Sequence, residues 1–299
     1  MIPEKPLVSV IIPNYNYGRF LGQTLNSLLA QDYENWEAII VDNHSTDDSD
    51  EVYQSFSSDA RIRILKVHNG GSIAHSRNKG IQESTGSIIA FLDSDDLWAP
   101  CKLSRAVEAH QSGVDIVYHD LLRLLDGDIP IVKGRLRSWR LKKPLLRHLL
   151  RDGNALLNSS VSLDVSVISR NGLFSESLEI AGAEDYEYWL RCAQACMTFA
   201  HLPMALGQYR IHIGSVSRKD MSGKLSSAVA PYRGDLDYFS QRRLDATISY
   251  TAGRHHYLSR EINLARTQLG RVLVFGMFKF QIRSLFMLLA MNFWVKGGR

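Results

Sequence analysis

Short apolar runs and amphipathic stretches alternate along the first hundred residues. The runs with the length and composition of buried strands are 8–12, 37–41, 61–67 and 88–92. The stretches with helical spacing between them are 20–30, 48–56 and 73–82. Because strands that alternate with helices over short connections form βαβ units, this pattern predicts an α/β fold with a mainly parallel sheet flanked by helices.

The pattern is less regular after residue 100. The elements that it predicts there are a helix from Pro100 to about residue 111, a strand at 115–119, strand character at 158–169 and a helix at 184–196. From about residue 222 onward, Gly and Pro become rare and helical spacing dominates. We therefore expect an α/β domain over 1–220 and a helical C-terminal region over 221–299.

The most apolar part of the C-terminal region, 272–295, is interrupted by Lys279, Gln281 and Arg283. The uncharged part that remains is shorter than the roughly 20 residues that a transmembrane helix needs. Its apolar residues nevertheless follow helical spacing. The segment is therefore expected to be a basic amphipathic helix that either lies in a membrane interface or packs on its own domain.

Composition is typical of a globular protein of a reducing compartment. Hydrophobic residues make up 45% and charged residues 22% of the 299 positions, which are ordinary values. The three cysteines are too few and too scattered for a disulfide framework. Since the first residues also lack the apolar core of a secretory signal, we expect a cytoplasmic protein.

The net charge of +4 is mild, but the basic residues are clustered. Between the aspartates at its two ends, the stretch 128–152 contains eight Lys or Arg, and 254–299 contains eight against one acid, Glu261. Such clusters predict an anionic partner, for example a membrane surface or a lipid phosphate. We expect no nucleic acid as partner, because no motif that reads bases accompanies the clusters.

The apolar run at 88–92 leads directly into three carboxylates, Asp93, Asp95 and Asp96. Charges at the carboxyl end of a strand project into the crevice where open α/β sheets bind ligands. Because grouped carboxylates repel one another unless a cation compensates them, the cluster favours a Mg²⁺ or Mn²⁺ ion shared with a phosphorylated substrate. The alternative is a solvated turn whose aspartates cap the next helix.

Polar residues also follow the other predicted strands. The first strand ends in P-N-Y-N-Y-G at 13–18, where a dinucleotide-binding domain would show G-x-G-x-x-G, so NAD and FAD are disfavoured. Asp42, at the tip of the second strand, is placed to bond a ribose hydroxyl or a base N–H. Arg77 could contact a phosphate or pair with a strand-end carboxylate, and the sequence leaves both roles open.

Several short motifs occur in a fixed order. They are P-N-Y-N at 13–16, V-D-N-H-S-T-D at 41–47, S-R-N-K-G at 76–80, D-S-D-D at 93–96, E-D at 184–185 and Y-R-I-H-I-G-S-V-S at 209–217. In this order and context they closely resemble the motifs of glycosyltransferase family 2, whose members are inverting enzymes with the GT-A fold. The resemblance is strongest over the first hundred residues and gives no trusted motif at 120–180 or 225–299.

The resemblance implies a Rossmann-like nucleotide-sugar half at about 1–100 and an acceptor half at about 101–220. The residues that it implies for the nucleotide-sugar site are Pro13, Tyr15, Asn16, Asp42, Arg77, Asp93 and Ser94. For a Mg²⁺ or Mn²⁺ ion it implies Asp95, Asp93 and His212 as ligands. Asp185, or its neighbour Glu184, would be the base that takes the proton of the acceptor hydroxyl.

The implied activity is metal-dependent transfer, with inversion, of a sugar from a nucleoside-diphosphate sugar to an acceptor hydroxyl, with a UDP-sugar as first choice. The basic clusters and the amphipathic tail suggest a glycan or lipid-linked glycan as acceptor, in the assembly of a cell-surface polysaccharide such as O-antigen, capsule or exopolysaccharide. The protein would then be peripheral on the inner face of the cell membrane.

Two other classes of function remain as alternatives. The first is a degenerate, non-catalytic module that binds sugar nucleotides or membranes, which the presence of Asp93, Asp95 and Asp185 disfavours. The second is a nucleotidyltransferase, which shares the carboxylate–metal chemistry. Such enzymes usually hold the triphosphate with a basic, Gly-rich loop after the first strand, and the loop at 13–18 is neither.

Overall fold

The computed structural model describes residues 5–127, 134–212 and 219–296, and side chains up to residue 292. The chain divides into two compact units. Unit 1 comprises 1–141 and 155–212, and unit 2 comprises 142–154 and 213–299. The sequence pattern places its boundary at 220 and gives no sign that 142–154 groups with the C-terminal region.

Strands and helices alternate through unit 1, and helices make up the regular structure described in unit 2. In chain order the elements are β1 (Val8–Asn14), α1 (Gly18–Leu29), β2 (Trp36–Asp42), α2 (Ser49–Ser55), β3 (Ile62–Lys66), α3 (Ile73–Gln82), β4 (Ile88–Phe91), β5 (Leu97–Trp98), α4 (Lys102–Gln111), β6 (Ile116–Leu125), β7 (Arg135–Leu136), α5 (Leu145–Asp152), β8 (Ser162–Asp164), α6 (Ser166–Asn171), α7 (Glu184–Gln194), β9 (Phe199–Ile211), α8 (Ser222–Val229), α9 (Tyr238–Leu258), α10 (Ile262–Phe275) and α11 (Phe278–Lys296).

The first half of the sheet is parallel, in the order β3-β2-β1-β4. In register, Val8 lies beside Trp36 on one side and beside Ile88 on the other. All seven residues of β1 are buried, as expected for a strand covered by helices on both faces. The α/β class is thus confirmed, and α3 begins and ends at the residues predicted for it.

The second half of the sheet is mixed. β8 runs antiparallel to both β4 and β6, while β9 is parallel to β6 and antiparallel to β5. The strand predicted at 115–119 extends to Leu125, and β9 is a 13-residue strand that the pattern did not predict. The strand character predicted for 158–169 is mostly wrong, since only 162–164 is extended between a 3-10 turn and α6.

The core of unit 1 packs between the parallel strands and α1. The apolar face of α1 is buried through Phe20, Leu21, Leu25 and Leu28, which follow helical spacing. On α3, a Cβ at Gly80 would lie 2.5 Å from the side chain of Ile11, so only glycine lets the helix approach β1 this closely. This contact fixes the helix that carries Arg77.

Unit 2 is built around the pairing of α9 with α10. A Cβ at Gly253 would lie 2.8 Å from Leu269, so glycine permits the close approach of the two helices. Ala265 and Leu269 of α10 form a small core with Met291 of α11. Within the part of the chain that the structure describes, no helix combines the length and the apolarity needed to cross a bilayer.

Candidate active site

The carboxyl ends of β1, β2 and β4 meet at one edge of the sheet because the three strands are parallel neighbours. Asn14 lies beside Asp42 in register, and β4 ends two residues before Asp93. Ligands of open α/β sheets bind at this edge, where the strands end and the loops begin. The structure therefore brings the predicted residues at 13–16, 42 and 93–96 to one crevice edge.

Asp42 is fully buried and held by a network of hydrogen bonds. Its carboxylate accepts bonds from the hydroxyls of Ser45 at 2.5 Å and Tyr53 at 2.9 Å. The amide of Asn14 donates to Ser49 at 3.0 Å and to Tyr53 at 2.8 Å, which ties α2 to the end of β1. The sequence analysis missed Asn14 and Tyr53 as site residues. Burial and the nearby Asp42 charge raise the pKa of Tyr53, so it stays a neutral donor.

Hydrogen bonds hold the loop after β1 against the loop after β2. The backbone N–H of Asn16, whose φ is 55°, donates to Ser45 at 3.0 Å, and its side-chain oxygen accepts from the N–H of Thr46 at 2.7 Å. The N–H of Gly18 donates to Asp47 at 2.9 Å. Tyr15 projects from this loop with 55% of its surface exposed, so its ring is open to a ligand. Pro13 is buried within β1.

Arg77 is buried and forms ion pairs with carboxylates of two different segments, the loop after β4 and the start of α7. Its side chain is 4% exposed and donates to Asp93 at 3.0 Å and to Glu184 at 2.8 Å. With the amide of Asn158 oriented to present its oxygen, that oxygen accepts two further bonds from Arg77 at 3.2 Å. Arg77 thus pairs with the strand-end carboxylate of Asp93, and a contact of Arg77 with a phosphate stays a prediction.

The 93–96 loop is anchored on one side by β9. Asp95 contacts Nε2 of His212 at 3.1 Å, and Asp96 accepts a bond from the backbone N–H of Arg210 at 2.8 Å. The guanidinium of Arg210 donates to the carbonyl oxygen of Asp95 at 2.7 Å. Burial, together with the charge of Asp93, raises the pKa of Asp95.

Ser94 belongs to the 93–96 loop, and His212, which follows β9, contacts that loop through Asp95. Ser94 is buried, and its carbonyl oxygen accepts a bond from the hydroxyl of Thr24 at 2.9 Å. The ring of His212 packs against Tyr17 and Phe20, with centroids 5.3 and 5.1 Å apart. The serines predicted beyond it in the motif, at 215 and 217, lie outside the described residues.

Glu184 and Asp185 begin α7 but have different environments. Glu184 is buried and accepts bonds from Arg77 and, at 2.5 Å, from the N–H of Gly182. The side chain of Asp185 is partly exposed and accepts a bond from the N–H of Tyr186 at 2.6 Å. Burial of its carboxylate and the adjacent Glu184 charge raise the pKa of Asp185 to about 7.

Asn78, next to Arg77, fixes the segment that precedes α7. Its side chain donates to the carbonyl of Phe174 and accepts from the N–H of the same residue, both at 2.9 Å, and it donates to Glu176 at 2.8 Å. This residue belongs to the S-R-N-K-G motif, but the sequence analysis gave it no role. Its place in that motif, directly after Arg77, was the available signal.

The donor set at the end of β4 fits a hard divalent cation that a substrate helps to hold. Among the described residues, no three His, Cys, Asp or Glu side chains are placed to hold a metal by themselves. Mg²⁺ is commonly bound through one or two carboxylates with phosphate oxygens completing the shell. Burial and then the nearby Asp93 charge raise the pKa of Asp95, and a bound cation would favour its ionised form.

A family model described as glycosyl transferase family 2 matches residues 9–162, a range that runs from the second residue of β1 to the start of β8 and includes the 93–96 loop. This match covers more than half of the chain, and the chain therefore belongs to glycosyl transferase family 2. The chain is thus a glycosyltransferase, and the sheet of unit 1 has the fold of such enzymes.

Two relatives illustrate the range of the family. An uncharacterised glycosyltransferase, alr2836 of Nostoc, is 31% identical over 277 residues, with 87% of this chain and 82% of the relative covered. The Escherichia coli UDP-Glc:alpha-D-GlcNAc-diphosphoundecaprenol beta-1,3-glucosyltransferase WfaP is 29% identical over 211 residues, with 71% of this chain and 80% of the relative covered.

Two solved structures share the fold. S. aureus TarS 1–349 in complex with UDP-GlcNAc superposes with a TM-score of 0.62 at 19% identity, covering 89% of this chain and 81% of that one. The mannosyltransferase PcManGT from Pyrobaculum calidifontis, in complex with GDP-Man and Mn²⁺, has a TM-score of 0.61 at 17% identity and covers 97% and 80%. The expected GT-A architecture is thereby confirmed.

Proposed function

We propose that the protein is a metal-dependent, inverting glycosyltransferase that moves a sugar from a nucleoside-diphosphate sugar to a hydroxyl of a lipid-linked glycan during cell-surface polysaccharide assembly. The observation that carries the proposal is the difference between two neighbouring carboxylates: Glu184 is buried and pairs with Arg77 at 2.8 Å, while Asp185 is a less buried residue whose desolvated carboxylate has a raised pKa. We assign the chemistry to Asp185 and the positioning of Arg77 to Glu184.

The donor would lie along the edge formed by β1, β2 and β4. The exposed ring of Tyr15 is suited to stacking on the base, and Asn16 supports the loop that presents it. Asp93 would supply an acceptor for a base or ribose donor, and Asp42, which is buried under Ser45 and Tyr53, would do so once a ligand displaces one of these hydroxyls. A UDP-sugar is the first choice of donor, since TarS binds UDP-GlcNAc and WfaP is named for UDP-Glc, while PcManGT binds GDP-Man.

Asp95, Asp93 and His212 are the residues that would hold Mg²⁺ or Mn²⁺. When bound, such an ion stabilises the negative charge that collects on the departing diphosphate. Support comes from the donor set and from the Mn²⁺ in PcManGT.

Asp185 would perform the proton transfer. As the acceptor oxygen forms its bond to the anomeric carbon, the bond from that carbon to the diphosphate oxygen breaks, and Asp185 takes the hydroxyl proton. Because attack comes from the face opposite the leaving group, a single displacement inverts the configuration. Glu184 would position Arg77, which in turn orients Asp93.

A lipid-linked acceptor and a peripheral site on an anionic membrane form the finer part of the proposal. WfaP is named for an acceptor of that type. Within the basic stretch 128–152, Arg135 pairs with Asp120, Arg147 with Asp237 and Arg151 with Asp152, and Lys133 lies outside the described residues. The residues of the stretch that are exposed without an ion pair of this kind are Arg137, Arg140, Lys142 and Lys143.

Asp185→Asn tests the central assignment. The amide keeps the shape of the side chain but cannot take a proton, so we expect transfer to fall by about 10²–10⁴-fold. Donor affinity, measured calorimetrically with a UDP-sugar and Mn²⁺, should change less than about threefold, because the residue acts on the acceptor. An equal loss of donor binding and transfer would contradict its role as the base.

A further inference from the structure

Unit 2 contains a cavity of about 660 Å³ that is lined by residues of α8, α9 and α10 and of the segment just before α9. This volume is in the range of small-molecule sites. Among the described residues, the lining includes three arginines, Arg233, Arg242 and Arg271, and one carboxylate, Asp245. The cavity therefore has an excess of positive charge.

The single carboxylate compensates one of the three arginines. Arg233 forms an ion pair with Asp245 at 2.8 Å. Arg242 lies 5.1 Å from the ring centroid of Tyr238 and 5.9 Å from that of Phe275, contacts that leave its charge in place. Arg271 is exposed and has no hydrogen-bond or ion-pair partner among the described residues. Two guanidinium groups of the lining are thus available to an anion.

The rest of the lining divides into hydroxyl and apolar parts. Ser222 and Ser226 of α8 add hydroxyl donors of the kind that accompany arginine in phosphate sites. Ile248, Val274 and Phe275 supply an apolar wall, and Val274 is 68% exposed. A free inorganic anion would use the cations but would leave this wall without a partner.

We propose that this cavity binds the phosphate group of a long-chain phosphorylated lipid. Arg271 and Arg242 bond the phosphate oxygens, and the first carbons of the chain lie against Val274 and Phe275. The inference deepens the acceptor part of the proposed function, because it names the phosphate-to-chain junction of a lipid as the feature that unit 2 recognises.

The test is calorimetric binding to the full chain of three probes: dihexanoyl phosphatidic acid, dihexanoyl phosphatidylcholine and sodium pyrophosphate. We expect the phosphatidic acid to bind at least about tenfold more tightly than the other two, since only it offers both a phosphomonoester and a chain. Arg271→Gln should weaken its binding about tenfold, and Arg271→Lys should weaken it less.

Arg266→Gln is the matched control. Arg266 lies on the same helix, is exposed, bonds Asn292 and does not line the cavity, so its loss removes an equal charge and should change affinity less than about twofold. Thermal unfolding of the Arg271 variants should match the parent, because that side chain has no described partner to lose.

Equal weakening by Arg266→Gln and Arg271→Gln, or equal binding of the two lipids, would overturn the site. Pyrophosphate binding as tight as phosphatidic acid binding would overturn the lipid assignment in favour of a soluble phosphate. Donor binding and transfer to a soluble glycan acceptor are measured separately and should be unchanged in Arg271→Gln. The failure of the lipid site can therefore be told apart from the failure of the proposed function.

Discussion

Glu184 and Asp185, which are adjacent at the start of α7, differ in burial and in the charges around them. Glu184 has its charge balanced by Arg77, whereas the carboxylate of Asp185 is desolvated and lies beside the charge of Glu184. Its pKa rises to about 7, so the carboxylate is poised between its two protonation states near neutral pH. A general base is most effective when its pKa lies near the working pH.

The pH profile of transfer should report this pKa. Because Asp185 accepts a proton only when ionised, we expect kcat/KM to rise about tenfold per pH unit below pH 7 and to level off above it. Glu184→Gln removes the neighbouring negative charge, so the acid limb of its profile should move to lower pH. An acid limb that stays in place would count against Asp185 as the titrating base.

Lys102 is a second residue whose environment has a measurable consequence. It is fully buried, with its ammonium 3.9 Å from the centroid of the Trp98 ring, and burial lowers its pKa to about 7. Between pH 7 and about 10.4 the unfolded chain therefore binds more protons at this residue than the folded one does, so folding stability rises with pH across that window. Well below pH 7, where Lys102 is protonated in both states, it does not contribute to the change of folding stability with pH.

Chemical denaturation at pH 7 and pH 9 tests the effect. The gain in unfolding free energy between these values should be on the order of 2 kcal/mol larger in the parent than in Lys102→Met, because methionine has no proton to release. Lys5→Met is the control, since Lys5 is exposed, and it should keep the pH dependence of the parent. If Lys102→Met keeps it as well, the buried lysine is not the source.

At this scale, the sequence identified which residues gather at the site but not what each one bonds. The position of Arg77 after a glycine-containing loop allowed either a phosphate or a carboxylate as its partner. Only the fold brings Glu184 to within 2.8 Å of it, across 107 residues of chain. The sequence analysis did not identify Tyr53, because its hydrogen bond to Asp42 depends on how α2 packs and not on a local motif.

At the scale of elements, the packing of α3 on β1 sets where Arg77 lies. Gly80→Ala would place a methyl group 2.5 Å from Ile11, and either the helix or the strand must shift. We expect a loss of about 1–3 kcal/mol in unfolding free energy, as for other overpacked sites, together with reduced transfer.

Gly270→Ala provides the comparison for this change. Gly270 is also a helical glycine, in α10, but open space surrounds the position of its Cβ. There the better helix propensity of alanine should leave stability unchanged or raise it by up to about 1 kcal/mol. Urea unfolding of both variants measures the difference, and similar losses at the two positions would refute the packing argument.

The elements that the sequence failed to predict are those whose conformation is imposed from outside. β9 contains Pro203 and Gly207, which are depleted in strands, and it is extended because it pairs with β6 and β5. The reverse happens at 158–160, where the Ser160 hydroxyl bonds the carbonyl of Leu157 and stabilises a turn in place of a strand.

At the scale of the whole molecule, exposed apolar residues concentrate on α11. Those of its described residues that are large, apolar and exposed are Phe278, Ile282, Leu285, Phe286 and Leu289, which follow helical spacing, with Lys279 and Arg283 interspersed. An apolar face with nearby cations is suited to the surface of an anionic bilayer. Packing of α11 on its own unit is seen at Met291, which is buried in unit 2, while contact of the helix with a membrane stays a prediction.

Co-sedimentation with vesicles tests this surface. We expect the protein to pellet with phosphatidylglycerol vesicles, and less so as salt rises, because the attraction to anionic lipid is screened. Phe278→Ser with Phe286→Ser should reduce the bound fraction at least about fivefold. Leu178→Ser, at a position 76% exposed in unit 1, is the control and should have no such effect. If the variant with both Phe changes pellets as much as the parent, α11 is not the helix that contacts the vesicles.

The segment 142–154 belongs to unit 2 although unit 1 chain flanks it on both sides. Its helix α5 is tied to α9 there: Asp152 pairs with Arg243 at 3.3 Å, and Arg147 with Asp237 at 3.0 Å. Unit 2 is therefore encoded in two separate stretches. No single cut in the chain yields either unit intact, and a chimera that exchanges unit 2 between relatives must transplant both stretches together.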